Sequence, residues 1–278
     1  MGVPWGDDAA VPDASGRRIV VGVDAAVLGV HLDATHFPIG DLGYRAAVAS
    51  LSDLAAMGAA PWCALVAICA PGDVDVVEVE AGVIDACAAH GCAVTGGDLS
   101  RSPTASVAVT ALGLETSRVV GRGGARPGDV VLVTGALGAS AAGLRARRGG
   151  AALDDASVLA HRRPRALLAE GAAAAAAGAT AMIDVSDGLA RDLRRLASSS
   201  GVGVALAGVP VAEAATLDDA LGGGEDYELV ICHRRPEALR AAFADAALEV
   251  PIEIGEVIEA TEGVRLGGEE LADVGWRH

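Results

Sequence analysis

Residues 41–59 read DLGYRAAVASLSDLAAMGA, and this stretch is the most informative in the chain. Its apolar residues recur at helical spacing and a glycine follows, which predicts a helix ending near Gly58. These apolar positions are Leu42, Ala46, Ala49, Leu51, Leu54 and Met57. Asp53 lies among them, and no basic residue stands three or four positions away to pair with it. Asp53 is therefore a candidate ligand, although a helix cap or a solvated face is a plainer interpretation.

Further aspartates lie inside or beside apolar or glycine-rich segments. They are Asp7, Asp8, Asp24, Asp98, Asp184 and Asp187. Each has a plain alternative as a turn, a strand end or a helix cap. A carboxylate removed from water is costly unless it is paired. If the segments converge, a divalent cation is the simplest shared partner. Oxygen ligands favour Mg²⁺, and Mg²⁺ usually accompanies a phosphate substrate.

Composition excludes several classes of function. The chain has 278 residues, of which 52% are hydrophobic, enough for one large domain or two ordinary ones. Its net charge of −16 makes nucleic acid and anionic membrane poor partners. The sequence contains no lysine, which excludes a Walker-type phosphate clamp and a Schiff base. The five cysteines form no CxxC pair, and no apolar run reaches the ~20 residues of a membrane span, so we expect a cytoplasmic protein with free thiols.

Strand and helix patterns alternate along the chain. The expected strands are 18–27, 62–68, 92–95, 106–114, 129–134, 181–185, 202–207, 227–232 and 252–257. The expected helices are 41–59, 76–90, 139–148, 164–178, 188–199 and 236–247. The segment 118–128 is rich in glycine and arginine and is the best candidate linker. We therefore expect two α/β domains, 1–120 and 121–278.

Three glycine-rich segments are candidates for binding loops. Gly96-Gly97-Asp98 follows an expected strand, where glycines allow close approach to a phosphate but also make a tight turn. The segment 134–138 resembles a phosphate-binding turn before a helix, which alone is a weak signal. The segment 222–229, GGGEDYEL, is either a substrate loop or merely a flexible one. Separately, His31 is a candidate contact to an anionic ligand, and Trp276 is a candidate for stacking on a substrate ring or for core packing.

Taken together, these segments resemble the thiamine-monophosphate kinases. That family belongs to a larger group of ATP-binding proteins typified by aminoimidazole-ribonucleotide synthetase. The stretches 51–59 and 223–229 distinguish this kinase from its relatives, and the resemblance covers nearly the whole chain. The other matching segments are 6–10, 29–31, 41–46, 96–98, 126–129, 134–135, 140–144, 183–189 and 275–278.

The resemblance implies a fold, an activity and a set of ligands. The fold would be α+β, with a mixed N-terminal sheet that pairs in a homodimer and a C-terminal α/β domain. The activity would be ATP-dependent phosphorylation of thiamine monophosphate to thiamine diphosphate, the last step in making that cofactor. Several Mg²⁺ ions would be held by Asp8, Asp24, Asp53, Asp98, Asp184 and Asp187. ATP would contact Gly97, Asp98, Arg122 and Ser186, and thiamine monophosphate would contact His31, Glu225 and Trp276.

The chain departs from the family in two places. Where the family usually carries Ser-Thr-Asp-Thr, this sequence has Gly22-Val23-Asp24-Ala25, which removes hydroxyls near one metal. The usual segment ahead of Gly6-Asp7-Asp8 is also nearly absent.

Two alternatives therefore stay open. One is a related enzyme acting on another small acceptor, such as an aminoimidazole-ribonucleotide or selenophosphate synthetase. The other is a non-catalytic nucleotide-binding paralogue. No general base is expected for the kinase, because the attacking phosphate oxygen is already ionised at neutral pH.

Overall fold

The computed structural model describes residues 9, 13–14 and 17–276. Its first half forms a five-stranded sheet in the order β1-β2-β5-β3-β4. The strands are β1 Asp13–Ala14, β2 Arg17–Val27, β3 Ala59–Ala70, β4 Ala93–Arg101 and β5 Ser106–Glu115. Strands β3 and β4 run parallel and the other neighbours run antiparallel, so the sheet is mixed.

Two helices, α1 Gly40–Ala56 and α2 Val76–Ala89, cover one face of this sheet. They cross closely because glycines stand at the contact. A Cβ on Gly43 would lie 2.0 Å from the Val79 carbonyl oxygen, and one on Gly82 would lie 1.9 Å from the Gly40 oxygen. Any other residue at either glycine would force the helices apart. This close packing fixes α1, which carries Asp53, against the sheet.

The opposite face of the five-stranded sheet, here called the outer face, is apolar, and none of the described residues covers it. Side chains alternate between the two faces of a strand, and the outward ones include Val23 at 63% exposure, Trp62 at 52% and Leu65 at 46%. Several large apolar side chains exposed on one sheet face are typical of an interaction surface.

The second half forms a seven-stranded sheet in the order β12-β11-β8-β10-β6-β9-β7. Its strands are β6 Val130–Val133, β7 Ala181–Asp184, β8 Gly203–Leu206, β9 Leu229–His233, β10 Ile252–Ile258, β11 Val264–Leu266 and β12 Glu269–Glu270. Its helices are α3 Ala139–Arg148, α4 Ala156–Arg162, α5 Leu168–Ala177, α6 Leu189–Ser200, α7 Leu217–Gly222 and α8 Pro236–Asp245, with a 3-10 turn at Ala260–Glu262.

The two halves pack through helix α1. A Cβ on Gly171 of α5 would lie only 2.0 Å from the Ala55 carbonyl oxygen, so α5 rests directly on α1. At the other end of α1, the fully buried Asp41 pairs with Arg162, at 2.6 Å, and with Arg163, at 3.1 Å. Helix α1 is thus enclosed by both halves of the molecule, which explains its apolar sequence.

The predicted α+β class, with a mixed N-terminal sheet and a C-terminal α/β domain, is confirmed. The expected strands and helices are all present, and their bounds agree within about four residues except for the expected strand 92–95, which continues to Arg101 as β4. Of the elements that the structure describes, the sequence interpretation missed six short ones, which are β1, α4, α7, the 3-10 turn, β11 and β12. It was wrong about Gly96-Gly97-Asp98, which lies inside β4 and not at a strand end. A Cβ on Gly97 would lie 2.0 Å from the Val66 carbonyl oxygen, so this glycine allows β4 to lie close to β3.

The predicted domain division after residue 120 falls in the connection between the sheets. Among the described residues, no helix is long and apolar enough to cross a membrane.

Candidate active site

A hydrogen bond between the two halves defines the centre of the site. The Ser52 hydroxyl on α1 donates to Asp184 Oδ2 at 2.6 Å, although the residues are 132 positions apart. Asp184 is the last residue of β7 and is buried. The predicted acid at the end of β7 therefore meets the helix that carries Asp53.

Asp24 lies beside this hydrogen bond. It occupies the inner face of β2, where its backbone N–H donates to Ser50 Oγ of α1 at 3.0 Å. Burial, reinforced by the charges of Asp192 and Asp24, raises the pKa of Asp184 to about 7, although its hydrogen bond from Ser52 and the charge of Arg122 act to lower it. Carboxylates are thus crowded at this point, and the predicted ATP contact Arg122 lies within electrostatic reach.

Asp53 lies in the same region, with its side chain next to Gly22 of β2. A Cβ on Gly22 would stand 3.1 Å from Asp53 Oδ2 and 3.3 Å from its Cβ. Gly22 and Asp24 are two positions apart on one strand and share its inner face. Glycine at position 22 therefore leaves Asp53 space that a larger residue would restrict. The structure brings Asp24, Asp53 and Asp184 to the junction of β2, α1 and β7.

The residues of this junction suit Mg²⁺ in chemistry. Their donors are carboxylate and hydroxyl oxygens, which magnesium prefers. Burial, with smaller contributions from the charges of Asp192 and Asp24, raises the pKa of Asp184, and a bound cation would stabilise its charged form. Across the described part of the chain, no group of three His, Cys, Asp or Glu side chains is spaced closely enough to enclose a metal. The predicted ligand Asp8 lies outside the described residues.

The turn after β7 is organised by an acid that the sequence interpretation missed. Asp192, buried on α6, accepts hydrogen bonds from the N–H groups of Ser186, at 3.1 Å, and Asp187, at 3.0 Å. Asp187 is itself buried and pairs with Arg195 at 2.6 Å. Its carbonyl oxygen accepts a hydrogen bond from the Trp276 N–H at 3.0 Å. The half-exposed Trp276 is thus tied to the predicted metal and ATP segment.

The loop that carries Glu225 folds over the same turn. The Glu225 N–H donates to the Ser186 oxygen at 2.8 Å, and the Glu225 carboxylate accepts a hydrogen bond from Arg45 of α1. Two of the predicted substrate contacts, Glu225 and Trp276, therefore meet one segment. The third, His31, accepts a hydrogen bond at Nδ1 from the Val27 N–H at 3.0 Å, and within the described residues no hydrogen bond or ion pair joins it to the other two.

Asp98 does not join the other acids within one chain. Strand register aligns Asp24 with Val109, Val109 with Val66, and Val66 with Gly97. Gly97, the neighbour of Asp98, is therefore three strand spacings of about 4.8 Å from Asp24, or about 14 Å. Asp98 also pairs with the exposed Ala67, so its side chain is on the outer face while that of Asp24 is on the inner face. The two predicted ligands are on opposite sides of the sheet.

The predicted phosphate-binding turn at 134–138 holds a carboxylate of its own chain. Asp226 accepts hydrogen bonds from the N–H groups of Gly138, at 2.7 Å, and Ser140, at 3.0 Å, at the start of α3. Burial raises the pKa of Asp226 to about 6 against the effect of these hydrogen bonds. The interpretation of this turn as an open anion site was therefore wrong, because Asp226 occupies the N–H groups that a phosphate would need.

Comparisons with known proteins agree with this architecture. Residues 6–114 match the family model "AIR synthase related protein, N-terminal domain", and residues 126–267 match the model of the corresponding C-terminal domain. The chain is 42% identical to a thiamine-monophosphate kinase of Halobacterium salinarum over 98% of this chain and 94% of the relative. It is 34% identical to the Aquifex aeolicus thiamine-monophosphate kinase over 98% and 92%. The solved structure of AaThiL complexed with AMPPCP and TMP superposes with a TM-score of 0.87 at 32% identity, covering 98% of this chain and 91% of that one.

Proposed function

The chain belongs to the thiamine-monophosphate kinase family of AIR synthase related proteins, and we propose that its clustered aspartates hold the Mg²⁺ that this activity uses. The activity is the ATP-dependent phosphorylation of thiamine monophosphate to thiamine diphosphate. The observation that supports the metal proposal is that Asp24, Asp53 and the buried Asp184 meet at one junction, where burial first, and then the charges of Asp192 and Asp24, raise the pKa of Asp184. When bound, Mg²⁺ would neutralise charge on the reacting phosphates.

The chain's own residues bind and orient the two substrates in this proposal. Asp24, Asp53 and Asp184, with Asp187 and Asp8, would form the metal-binding side. Arg122, Ser186 and Gly97 would contact ATP, and His31, Glu225 and Trp276 would contact thiamine monophosphate. The attacking atom is an ionised phosphate oxygen, so the chain supplies position and charge balance and no general base.

We also propose that the protein is a homodimer joined through the outer face. This arrangement is supported by the apolar outer face with Val23, Trp62 and Leu65, which the described residues leave uncovered. In a dimer built on this face, the outer-face Asp98 of each copy would lie on the side of the sheet that meets the second copy.

Two further proposals concern domains and location. The division into 1–120 and 121–278 is supported by the separate sheets, the first ending at Glu115 and the second beginning at Val130. A cytoplasmic location is supported by the use of ATP and by five cysteines that are all free thiols.

Product analysis tests the activity and its metal dependence. Purified protein is incubated with ATP and thiamine monophosphate, with MgCl₂ or with a chelator, and thiamine diphosphate and ADP are quantified by chromatography. We expect equal amounts of both products with Mg²⁺ and none with chelator. Unphosphorylated thiamine serves as the acceptor control. Absence of turnover in folded protein that still binds nucleotide tightly would instead indicate the non-catalytic alternative, in which the change to Gly22-Val23-Asp24-Ala25 has removed activity.

A further inference from the structure

Arg45 is a buried cation at the contact between the two halves. It lies on α1, its side chain is 3% exposed, and its Nη2 donates to Glu225 Oε1. Its Nη1 donates to the His161 carbonyl oxygen at 2.6 Å and lies 3.0 Å from His161 Nε2. A guanidinium has five donors in a rigid plane, so these contacts fix both its position and its orientation.

His161 acts as a neutral acceptor for Arg45. Burial, together with the nearby positive charge of Arg45, lowers the pKa of His161 to about 2, so the ring is neutral at any physiological pH. Since Nε2 accepts from Arg45, the ring proton is on Nδ1, which lies 2.9 Å from Ser140 Oγ and donates to it. The ring therefore holds the guanidinium in place instead of competing with it.

The loop that presents Glu225 has an unusual backbone. Gly224, Glu225 and Tyr227 all have positive φ, at +67°, +58° and +54°. Non-glycine residues rarely adopt this conformation, and it persists only where the surroundings enforce it. Here the backbone is held on one side, where the Tyr227 N–H donates to the Val185 oxygen at 3.0 Å, and the carboxylate is held on the other side by Arg45.

Only one carboxylate oxygen of Glu225 is used by Arg45. The second, Oε2, lies 3.9 Å from His161 Nδ1, which is beyond hydrogen-bond distance, and it accepts no hydrogen bond from the described residues. Glu225 also lines a cavity of about 330 Å³, together with His161, Arg145 and Gly223. The carboxylate is thus oriented by one oxygen and has the other available to a ligand.

We propose that Arg45 is a positioning residue of the acceptor site, which fixes the Glu225 carboxylate for thiamine monophosphate. This inference rests on the proposed function, because it takes Glu225 as a contact of the acceptor. Arg45 and Ser52 are seven positions apart and therefore lie on the same face of α1. One helix thus orients both the acceptor carboxylate, through Arg45, and the metal-side carboxylate Asp184, through Ser52.

Steady-state kinetics of Arg45 variants test the proposal. R45M should raise the KM for thiamine monophosphate about tenfold or more, the range for a lost hydrogen bond to a charged group, and should leave the KM for ATP unchanged. R45K should recover part of the loss, because it keeps the charge but not the two-pronged geometry. The double variant R45M/E225Q should bind the acceptor no more weakly than E225Q alone, since Arg45 acts through that carboxylate.

A matched control separates positioning from stability. R162M also removes a guanidinium that pairs with a buried residue of α1, Asp41, but Arg162 is the last residue of α4 and does not pair with Glu225. It should lower the melting temperature and leave both KM values unchanged. The proposal would be overturned if R45M changed the KM for ATP as much as the KM for thiamine monophosphate. It would also be overturned if the double variant raised the KM for thiamine monophosphate by the product of the two single effects. If R45M does not fold, an unchanged acceptor KM in R45K would overturn it equally. An inactive wild type would overturn the proposed function and this inference together. An active wild type, with the same KM for thiamine monophosphate in R45M, would overturn this inference alone.

Discussion

Replacing Asp184 with asparagine should stabilise the metal-free protein at pH 8, even though Asp184 is a proposed metal ligand. Burial and the charges of Asp192 and Asp24 raise the pKa of Asp184 from 3.8 to about 7. The folded state therefore binds this proton more tightly than the unfolded chain does, and the free energy of unfolding falls as pH rises from about 4 to about 7. At 1.36 kcal/mol per pH unit, the difference corresponds to about 4 kcal/mol at most.

Urea unfolding in the presence of a chelator measures this effect. The asparagine side chain keeps an oxygen that can accept the hydrogen bond from Ser52, so the substitution removes charge with little change of shape. We expect D184N to exceed the wild type by about 1–4 kcal/mol at pH 8. At pH 5, which lies only about 1.2 pH units above the unfolded pKa of 3.8, the advantage of D184N should be smaller, at about 1.6 kcal/mol at most. Added Mg²⁺ and ATP should stabilise the wild type more than D184N.

Asp41 provides the matched control. It is also a fully buried carboxylate, but it pairs with Arg162 and Arg163. D41N should therefore lose about 3–5 kcal/mol at both pH values, as expected when a buried ion pair loses one partner. If D184N were as destabilised as D41N, or if its difference from the wild type were the same at pH 5 and pH 8, the raised pKa of Asp184 would be refuted.

Three further predictions concern packing, assembly and acid stability. G171A should lose about 2–3 kcal/mol in calorimetry, because its Cβ would stand 2.0 Å from the Ala55 oxygen, whereas G208A, which meets nothing within 4 Å, should change stability by less than about 0.5 kcal/mol. L65D should sediment as a monomer while V77D, on the exposed side of α2, sediments as the wild type does; a dimeric L65D would argue against the outer face as the interface. The pKa of His161 is lowered to about 2, so below pH 6.5 the unfolded chain binds a proton at this residue and the folded chain does not. The free energy of unfolding should therefore fall by about 3 kcal/mol between pH 6.5 and pH 4. H161Q should show a clearly smaller fall in urea titrations, and an identical fall would contradict this assignment.

The local patterns of the sequence predicted most of the fold. The apolar spacing of 41–59 indicated a helix, and the structure has α1 at Gly40–Ala56. The glycines at 96–97 were misleading, because glycine ends a strand in one context and permits close strand contact in another. At Gly97 the neighbouring Val66 oxygen decides between them.

Long-range partners could not be predicted in the same way. Nothing near Ser52 in the sequence indicates that its hydroxyl meets Asp184, and nothing near Asp226 indicates that it occupies the start of α3. The role of Arg45 could not be predicted for the same reason. Its position in an apolar helix has no local explanation, and its partner Glu225 is 180 positions away. A buried charge in a helical stripe is nevertheless a usable signal, because it requires a partner from elsewhere in the chain.

The most direct measurement is a crystal structure with a non-hydrolysable ATP analogue, thiamine monophosphate and Mn²⁺ in place of Mg²⁺, in which anomalous scattering locates the metal. We predict anomalous peaks within about 2.0–2.3 Å of carboxylate oxygens of Asp24, Asp53 and Asp184, between the phosphates of the two substrates. Metal peaks that touch only the nucleotide, with these three side chains turned away from it, would contradict the account.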